Sequence, residues 1–339
     1  MKIRVGIIGA GNISETHARA VGETEGAEVV AVYGQNGEKS RRLAQLYGGA
    51  AYDDLESFLA HPMEMVAIGS PSGLHAKEGI AAAQRGLHVL VEKPIDISTA
   101  RADALIETCD AAGVKLGVFF QDRVAPGVYR LKKLVDEGRL GRLILASARV
   151  KWFRPVEYYA DSRWRGTWAL DGGGALMNQG VHTVDLLLWL LGDVSRVYAR
   201  ATTALHDIEV EDTVAATLEF ASGAVGTLEA TTAAYPGYPR QLELTGTEGT
   251  CILHHDQLIA TDLRTPPDDS SLADGGNTNA SASSPIVSDV RGHQKILEDF
   301  IRAIETDRAP LCNGREGRRS VELIEAIYKS SREGRVIEF

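Results

Sequence analysis

The chain has 339 residues, 44% of them hydrophobic and 24% charged, the balance of a folded globular protein and about two domains' worth of chain. Thirty-six lysines and arginines stand against 46 aspartates and glutamates, and the resulting charge of −10 repels phosphate backbones and anionic lipid, which argues against nucleic-acid and membrane partners. No stretch reaches the ~18 apolar residues that cross a bilayer, and the well-separated Cys109, Cys251 and Cys312 form no C-x-x-C pair, so a reducing, cytoplasmic setting is expected.

Short apolar runs at 2–8, 28–33, 65–69, 88–91 and 115–119 suit strands buried on both faces, and helical patterns fill 14–23, 38–47, 74–85 and 99–112 between them. Strand alternating with helix demands a parallel, doubly wound α/β sheet, predicted here as a domain over 1–122. From 123 to 339 the pattern changes. A helix is expected over 126–137, a strand over 143–153 and an apolar helix over 175–191. Strand-like runs follow at 197–203, 213–220, 224–231, 241–245 and 250–254, with Ala221-Ser222-Gly223 as a hairpin signal. This second domain reads as an α/β unit on a mainly antiparallel sheet. The polar segment 265–288 is expected to be a mobile surface excursion, and helical patterns at 289–305 and 315–331 close the chain.

Gly9-Ala10-Gly11-Asn12-Ile13-Ser14 follows the first strand directly and opens the first helix. Gly9 permits a tight turn, Gly11 lets backbone approach a pyrophosphate, and the helix N-terminus supplies N–H donors, so dinucleotide binding is predicted. Ser14 replaces the third glycine and is small enough for close helix–strand packing. The acidic residue that ends the second strand in NAD-selective sites is missing; Gly34 and Gln35 occupy that end, and Lys39 and Arg41 are the nearest cations. The cofactor is therefore NAD or NADP, with a slight lean to NADP.

Glu92-Lys93-Pro94 ends the fifth strand, where ligands bind in doubly wound sheets. Further on, Gly172-Gly173-Gly174 precede a helix that carries Asn178 and His182 four residues apart, hence on one face. A neutral histidine there can take an alcohol proton while hydride leaves for nicotinamide, the Lys93 ammonium can orient a substrate hydroxyl, and Asp185 can orient the imidazole; a surface Lys-Pro turn and a hydrogen-bonded core histidine are the alternatives at these positions. The segment Lys151-Trp152-Phe153-Arg154, Tyr158-Tyr159 and Trp164-Arg165-Gly166-Thr167-Trp168 is dense in aromatics and basic residues, suited to sugar faces and to carboxylate or phosphate. Phe153 and Trp168 read as packing residues, whereas Trp152 and Tyr158 read as substrate contacts. Gln121 and Arg123 are placed where cofactor and substrate meet. The His254-His255-Asp256 run has no further ligands nearby, so no metal site is expected. Among the other histidines His75 and His293 stand out, His75 in the loop after Pro71 and His293 at the head of a late helix.

These pieces together resemble the glucose–fructose oxidoreductase / inositol dehydrogenase / rhizopine-catabolism (Gfo/Idh/MocA) family over nearly the whole chain. The likeness runs from the G-A-G-N-I-S turn through Ser70-Pro71-Ser72 to His75 and the E-K-P motif, then through G-G-G-x-x-x-N-x-x-x-H to the Asp299-Phe300-Ile301 helix. It implies a Rossmann domain plus a second α/β domain whose open sheet makes a homodimer or homotetramer. It also implies Lys93 and His182 as catalytic residues, and Trp164 and Arg165 near the nicotinamide and its phosphate. Gly9, Gly11, Asn12, Ile13, Gly34, Gln35, Ser70, Pro71, His75, Glu92, Lys93 and Gln121 complete the expected cofactor site. Lys93, Arg123, Trp152, Tyr158, Asn178 and His182 make up the expected substrate set. Many members carry aspartate where this chain has Asn178, which leaves proton transfer to His182. The implied activity is hydride transfer between a nicotinamide and a secondary alcohol of a sugar, sugar nucleotide, glycoside or cyclitol. A glycoside hydrolase that oxidises its sugar transiently and a non-catalytic dinucleotide-binding regulator are the alternatives.

Overall fold

The computed structural model describes residues 2–265 and 289–339, so the excursion expected over 265–288 falls, after Thr265, outside the described residues. Two compact units divide the chain, one of residues 1–121 with 286–321 and the other of 122–285 with 322–339.

The first unit is built on six parallel strands in the order β3-β2-β1-β4-β5-β6: β1 (Ile3–Ile8), β2 (Ala27–Tyr33), β3 (Ala50–Tyr52), β4 (Met65–Ile68), β5 (His88–Val91) and β6 (Leu116–Val118). Val5, Ile7, Ile8, Val66, Ile68, Val89 and Val91 are fully buried, as the continuous apolar runs require when helices cover both faces. The crossovers are helices α1 (Asn12–Glu23), α2 (Gly37–Tyr47), α3 (Leu55–Leu59), α4 (His75–Ala83) and α5 (Thr99–Ala112). Strand order reverses between β1 and β4, and a ligand crevice forms at such a switch point. The half-buried β3 and the five-residue α3 are too short for periodicity to reveal. The helix Arg291–Glu305 belongs to this unit, and its Gln294 amide donates to the Glu23 carbonyl at the end of α1 (3.0 Å).

The second unit carries eight strands in the order β13-β12-β11-β7-β10-β9-β8-β14. They are β7 (Leu143–Lys151), β8 (Val194–Thr202), β9 (Thr213–Phe220), β10 (Val225–Thr231), β11 (Gln241–Gly246), β12 (Gly249–His254), β13 (Gln257–Leu263) and β14 (Ile337–Glu338). Every neighbouring pair is antiparallel except β7 with β10. Burial alternates strictly along β9, so one sheet face is covered and the other is not. Helices α6 (Pro126–Asp136), α7 (Glu157–Ala160) and α8 (Val181–Leu191) accompany the sheet. The apolar helix expected over 175–191 is regular only from Val181; Ala175–Gly180 forms a π-helical turn. The helix Gly314–Glu333 is shared between the units, which divide at Val321.

Candidate functional site

In the first unit the glycine turn is built for an anion. Gly9 adopts φ +106°, a region that favours glycine, and a Cβ there would meet Ser14 Oγ at 2.5 Å and the Gly69 carbonyl carbon at 2.8 Å. Nothing lies within 4 Å of where a Cβ on Gly11 would stand. Gly11 is the N-cap of α1 and supplies no side-chain cap, so the first N–H groups of the helix, from Asn12 and Ile13 onward, keep their capacity for a ligand. Buried Ser14 donates to the Gly69 carbonyl (3.2 Å), stitching α1 to the end of β4. These features fit a dinucleotide pyrophosphate.

At the end of β2, Gly34 is buried, and a Cβ there would lie 2.9 Å from both Ala10 Cβ and Ser40 Oγ. Position 34 therefore cannot carry a ribose-reading side chain, and the exposed Gln35 is the residue available for it. Asn36 caps α2, its Oδ1 accepting from the Glu38 and Lys39 amides (3.1 Å each). That occupies two of the helix's first donors, and Lys39 and Arg41 are exposed cations nearby for a 2′-phosphate.

The segments after β4 and β5 are held by two buried acids and a buried histidine. Asp96 accepts from the Ala76 and Ile97 amides (2.9 and 2.7 Å), capping α4. Glu78 accepts from the half-buried Ser70 hydroxyl (2.5 Å), and its burial pushes its pKa up to about 7. His75 bridges the Pro94 carbonyl (Nδ1, 2.8 Å) and the Ser70 carbonyl (Nε2, 2.9 Å). It is buried and ties together two loops, one of which begins Ser70-Pro71.

Glu92 is likewise turned inward. Its Oε1 accepts from His17 Nε2 (3.0 Å) and His293 Nε2 (3.2 Å), and its Oε2 accepts from the Lys93 amide (3.1 Å). All three side chains are buried, with the His17 ring stacked on Phe119 at 4.3 Å. Burial alone would raise the Glu92 pKa, but the two imidazole donors hold it well below the usual carboxylate range, while burial lowers that of His17. Glu92, expected to touch the cofactor, is thus committed to the core, and what it fixes is the backbone of half-buried Lys93. His17, one helical turn after Ile13, escaped the sequence reading; its signal was a polar residue on the buried stripe of an amphipathic helix. Gln121, in the short helical turn Gln121–Val124, packs at the head of the Arg291–Glu305 helix, where a Cβ on Gly292 would lie 3.1 Å from its own Cβ.

In the second unit Glu211 builds the π-turn. Its carboxylate accepts from the Gly174 amide (2.9 Å), the Leu176 amide (2.8 Å) and the Tyr328 hydroxyl (2.9 Å). Burial nevertheless pushes its pKa up to about 7. Gly174 is required by close approach, since a Cβ there would sit 1.9 Å from the Glu211 carbonyl oxygen. The turn presents Asn178, whose Nδ2 donates to Asp171 (2.6 Å) and whose Oδ1 accepts from Gln179 (3.2 Å). π-turns inside α-helices recur at functional sites.

His182 follows in the first turn of α8, and Asp122 Oδ2 lies 3.6 Å from its Nδ1. Asp185, expected to orient the imidazole, is engaged by Arg123 through two bonds of 2.8 and 2.5 Å. Arg123 is 1% exposed and also lies over the Trp189 ring. Expected at the substrate, it is a core cation of the second unit, because a guanidinium buried this deeply is stable only when paired.

Beside the π-turn, Arg154 donates to Gln179 (3.0 Å), and Gln179 donates to the Tyr158 hydroxyl (2.8 Å). The Arg165 and Arg154 guanidinium carbons lie 4.4 and 5.5 Å from the Tyr158 ring centroid, and Arg165 also lies over Trp164 at 5.3 Å. Arg154, 2% exposed, has its pKa lowered by burial and by the neighbouring Arg165 charge. Arg165 Nε is buried with no hydrogen-bond partner among the described residues. Trp152, expected at the substrate, is buried beneath Arg154, whereas Trp168, expected to pack, is 44% exposed with its edge on Tyr328. His255 lies 3.2 Å from Asp256, which is itself paired with Arg240.

Residues 3–120 match the family described as an oxidoreductase family with an NAD-binding Rossmann fold, and residues 128–252 match the GFO/IDH/MocA C-terminal domain. The chain belongs to the Gfo/Idh/MocA oxidoreductases. Its structure resembles that of the WlbA dehydrogenase from Bordetella pertussis, solved with NADH and UDP-GlcNAcA, at TM-score 0.91 and 34% identity over 100% of this chain and 99% of that one. It is 29% identical over 98% of both chains to D-xylose 1-dehydrogenase (NADP(+)) 2 of Haloferax volcanii. It is 26% identical over 99% of both to inositol 2-dehydrogenase of Rhizobium meliloti. The chain is an NAD-binding oxidoreductase of this family, and no helix among its described residues is long and apolar enough to cross a membrane.

Proposed function

We propose that this Gfo/Idh/MocA oxidoreductase oxidises a secondary alcohol on a sugar that carries an acidic group, with a nucleotide-linked uronate as the favoured form. The observation that carries the substrate class is the gathering of Arg154 and Arg165 on the Tyr158 ring, linked through Gln179 to Asn178. Two like charges brought together beside a polar turn are stabilised by an anion, and planar guanidinium forks match a carboxylate. The nucleotide-linked uronate in the Bordetella relative's complex supports the same reading.

In this reading His182 Nε2 accepts the proton of the substrate hydroxyl, the Lys93 ammonium donates to that oxygen, and Asn178 orients the sugar. The turn Gly9–Ile13 holds the pyrophosphate, Gln35 meets the adenine ribose, and Ser70, Pro71 and Gln121 border the remainder. Bound nicotinamide supplies the hydride acceptor. A neutral amide at position 35 neither repels a 2′-phosphate nor grips a ribose as a carboxylate does, so we infer that NAD and NADP both serve, within about tenfold in affinity. The uncovered sheet face presents Leu145, Tyr198 and Val225, and we infer a homodimer or homotetramer through it. Three buried cysteines without disulfides accord with a cytoplasmic setting.

The test is to follow nicotinamide reduction with NAD and with NADP against neutral sugars, cyclitols, glycosides and nucleotide-linked uronates. Reduction with the uronates, abolished in His182→Ala while dinucleotide binding persists, is the expected result. Arg154→Gln should raise KM for the acidic sugar with dinucleotide affinity unchanged. Turnover confined to neutral sugars overturns the substrate class, and aglycone release without net reduction turns the assignment to a redox-neutral hydrolase.

A further inference from the structure

A carboxylate from outside its helix stands beside the imidazole of His182. Asp122 occupies the turn Gln121–Val124, sixty positions earlier in the chain, yet its Oδ2 stands 3.6 Å from His182 Nδ1. From the other side Asp122 is clamped by Arg240, the residue before β11, whose guanidinium donates to Asp122 through one nitrogen and to Asp256 through another. Arg240 is fixed in turn by backbone: its Nε donates to the His255 carbonyl (3.3 Å), and its own carbonyl accepts from the His255 amide (2.7 Å). Asp122 and Arg240 side chains are both largely buried, so the arrangement is a built one, with an arginine shared between two carboxylates and one of these presented to a histidine.

We propose that Asp122 is the positioning residue for His182, holding its imidazole with the proton on Nδ1 so that the unprotonated Nε2 acts as the base. This inference rests on the reading of His182 as the proton acceptor. A carboxylate at Nδ1 selects the Nδ1–H tautomer, because the reverse tautomer would set two acceptors against each other. It also stabilises the imidazolium formed when the substrate hydroxyl gives its proton to Nε2. In that step the C–H electron pair leaves for the nicotinamide as hydride, the carbinol carbon is oxidised, and His182 later returns the proton to solvent. Asp122 stays anionic throughout. Burial alone would raise its pKa, but Arg240 and the adjacent imidazoles hold it well below the usual carboxylate range. A separation of 3.6 Å is longer than a formed hydrogen bond, and catalytic contacts of this kind tighten when substrate arrives. With an amide at position 178, Asp122 is an acidic group that stands within reach of the histidine.

Nitrogen-15 labelling of the nine histidines, with the His182 signals assigned by their loss in His182→Ala, reads the tautomer directly in the intact protein above the imidazole pKa. The expected spectrum for the unmodified protein shows Nδ1 protonated and Nε2 bare. Asp122→Asn, whose amide can donate to Nδ1, should move the proton to Nε2 and lower kcat about 100-fold or more with KM for the sugar within about twofold, as loss of a positioned base requires. An Nε2–H tautomer in the unmodified protein overturns the proposal without recourse to any variant. So does an Asp122→Asn variant whose tautomer and kcat are both unchanged. A shifted tautomer with unchanged kcat supports the Asp122–His182 pair and overturns instead the reading of His182 as the base.

Discussion

Replacing Glu92 with alanine tests why the turn carrying Lys93 has its shape. The carboxylate is the acceptor for His17 Nε2 at 3.0 Å and His293 Nε2 at 3.2 Å, and both rings are about 1% exposed. Alanine leaves two buried imidazole donors unsatisfied at ~1–3 kcal/mol each, a total loss of ~2–6 kcal/mol. For a unit of this size that lowers Tm by roughly 5–20 °C. Glu92→Gln keeps an oxygen for the two imidazoles but sets its amide donor against the Lys93 N–H, which Glu92 now accepts at 3.1 Å. It should therefore melt between Glu92→Ala and the unmodified protein, since a neutral amide lacks the charge that the two imidazoles favour, and kcat should fall because the lysine backbone has lost its anchor. The acid dependence has a definite sign. The folded pKa of Glu92 is depressed from 4.5, so its stabilisation is complete above pH 4.5 and is lost as pH falls toward the folded value. The gap between the unmodified protein and Glu92→Ala should thus be full at pH 7 and narrower at pH 4. Melting curves followed by far-ultraviolet circular dichroism at pH 7 and pH 4 decide the matter. A Glu92→Ala protein that melts within about 2 °C of the unmodified one at pH 7 refutes the reasoning.

Gly174→Ala places a Cβ 1.9 Å from the Glu211 carbonyl oxygen, and the shift this forces should cost ~1–3 kcal/mol and depress kcat more than dinucleotide affinity; unchanged kinetics would show that the π-turn is not held by that contact. Glu211 has a folded pKa raised to about 7 from 4.5, so its contribution to stability is greatest below pH 4.5, declines as pH rises to about 7 and is flat above. Glu211→Gln cannot titrate, and its Tm should fall less between pH 5 and pH 7.5 than that of the unmodified protein, with Glu78 supplying the trend that remains. Gln35→Asp should move the NAD/NADP affinity ratio toward NAD by about tenfold or more by offering ribose hydroxyls a carboxylate; an unmoved ratio in titrations with each dinucleotide removes position 35 from the ribose site.

Features that depend on short range were legible from the residues alone. The apolar runs around Val5, Val66 and Val89 specify buried parallel strands, and Gly9 and Gly11 between strand and helix specify an anion turn. The string from Gly172 to His182 specifies glycines leading into a helix that bears Asn178 and His182. Each of these follows from chain stiffness, hydrophobic period or the conformational reach of glycine over a few residues. Elements of two to five residues, such as β3, α3 and β14, were beyond such reasoning, because periodicity has no meaning over so short a span. Which polar groups meet depends on packing between distant elements. Glu92 finds His17 and His293 across 75 and 201 positions of sequence, and those partners turn an expected cofactor contact into a core anchor for Lys93. Arg123 takes Asp185 out of the neighbourhood assigned to it, and Asp122 stands beside His182 instead. That Gly34 has no room for a side chain follows from Ala10 and Ser40 packed against it. The reason is common to all of these. A buried charge must be satisfied by whatever donor or acceptor the packed elements bring within about 3 Å, and that depends on how strands and helices far apart in sequence come together.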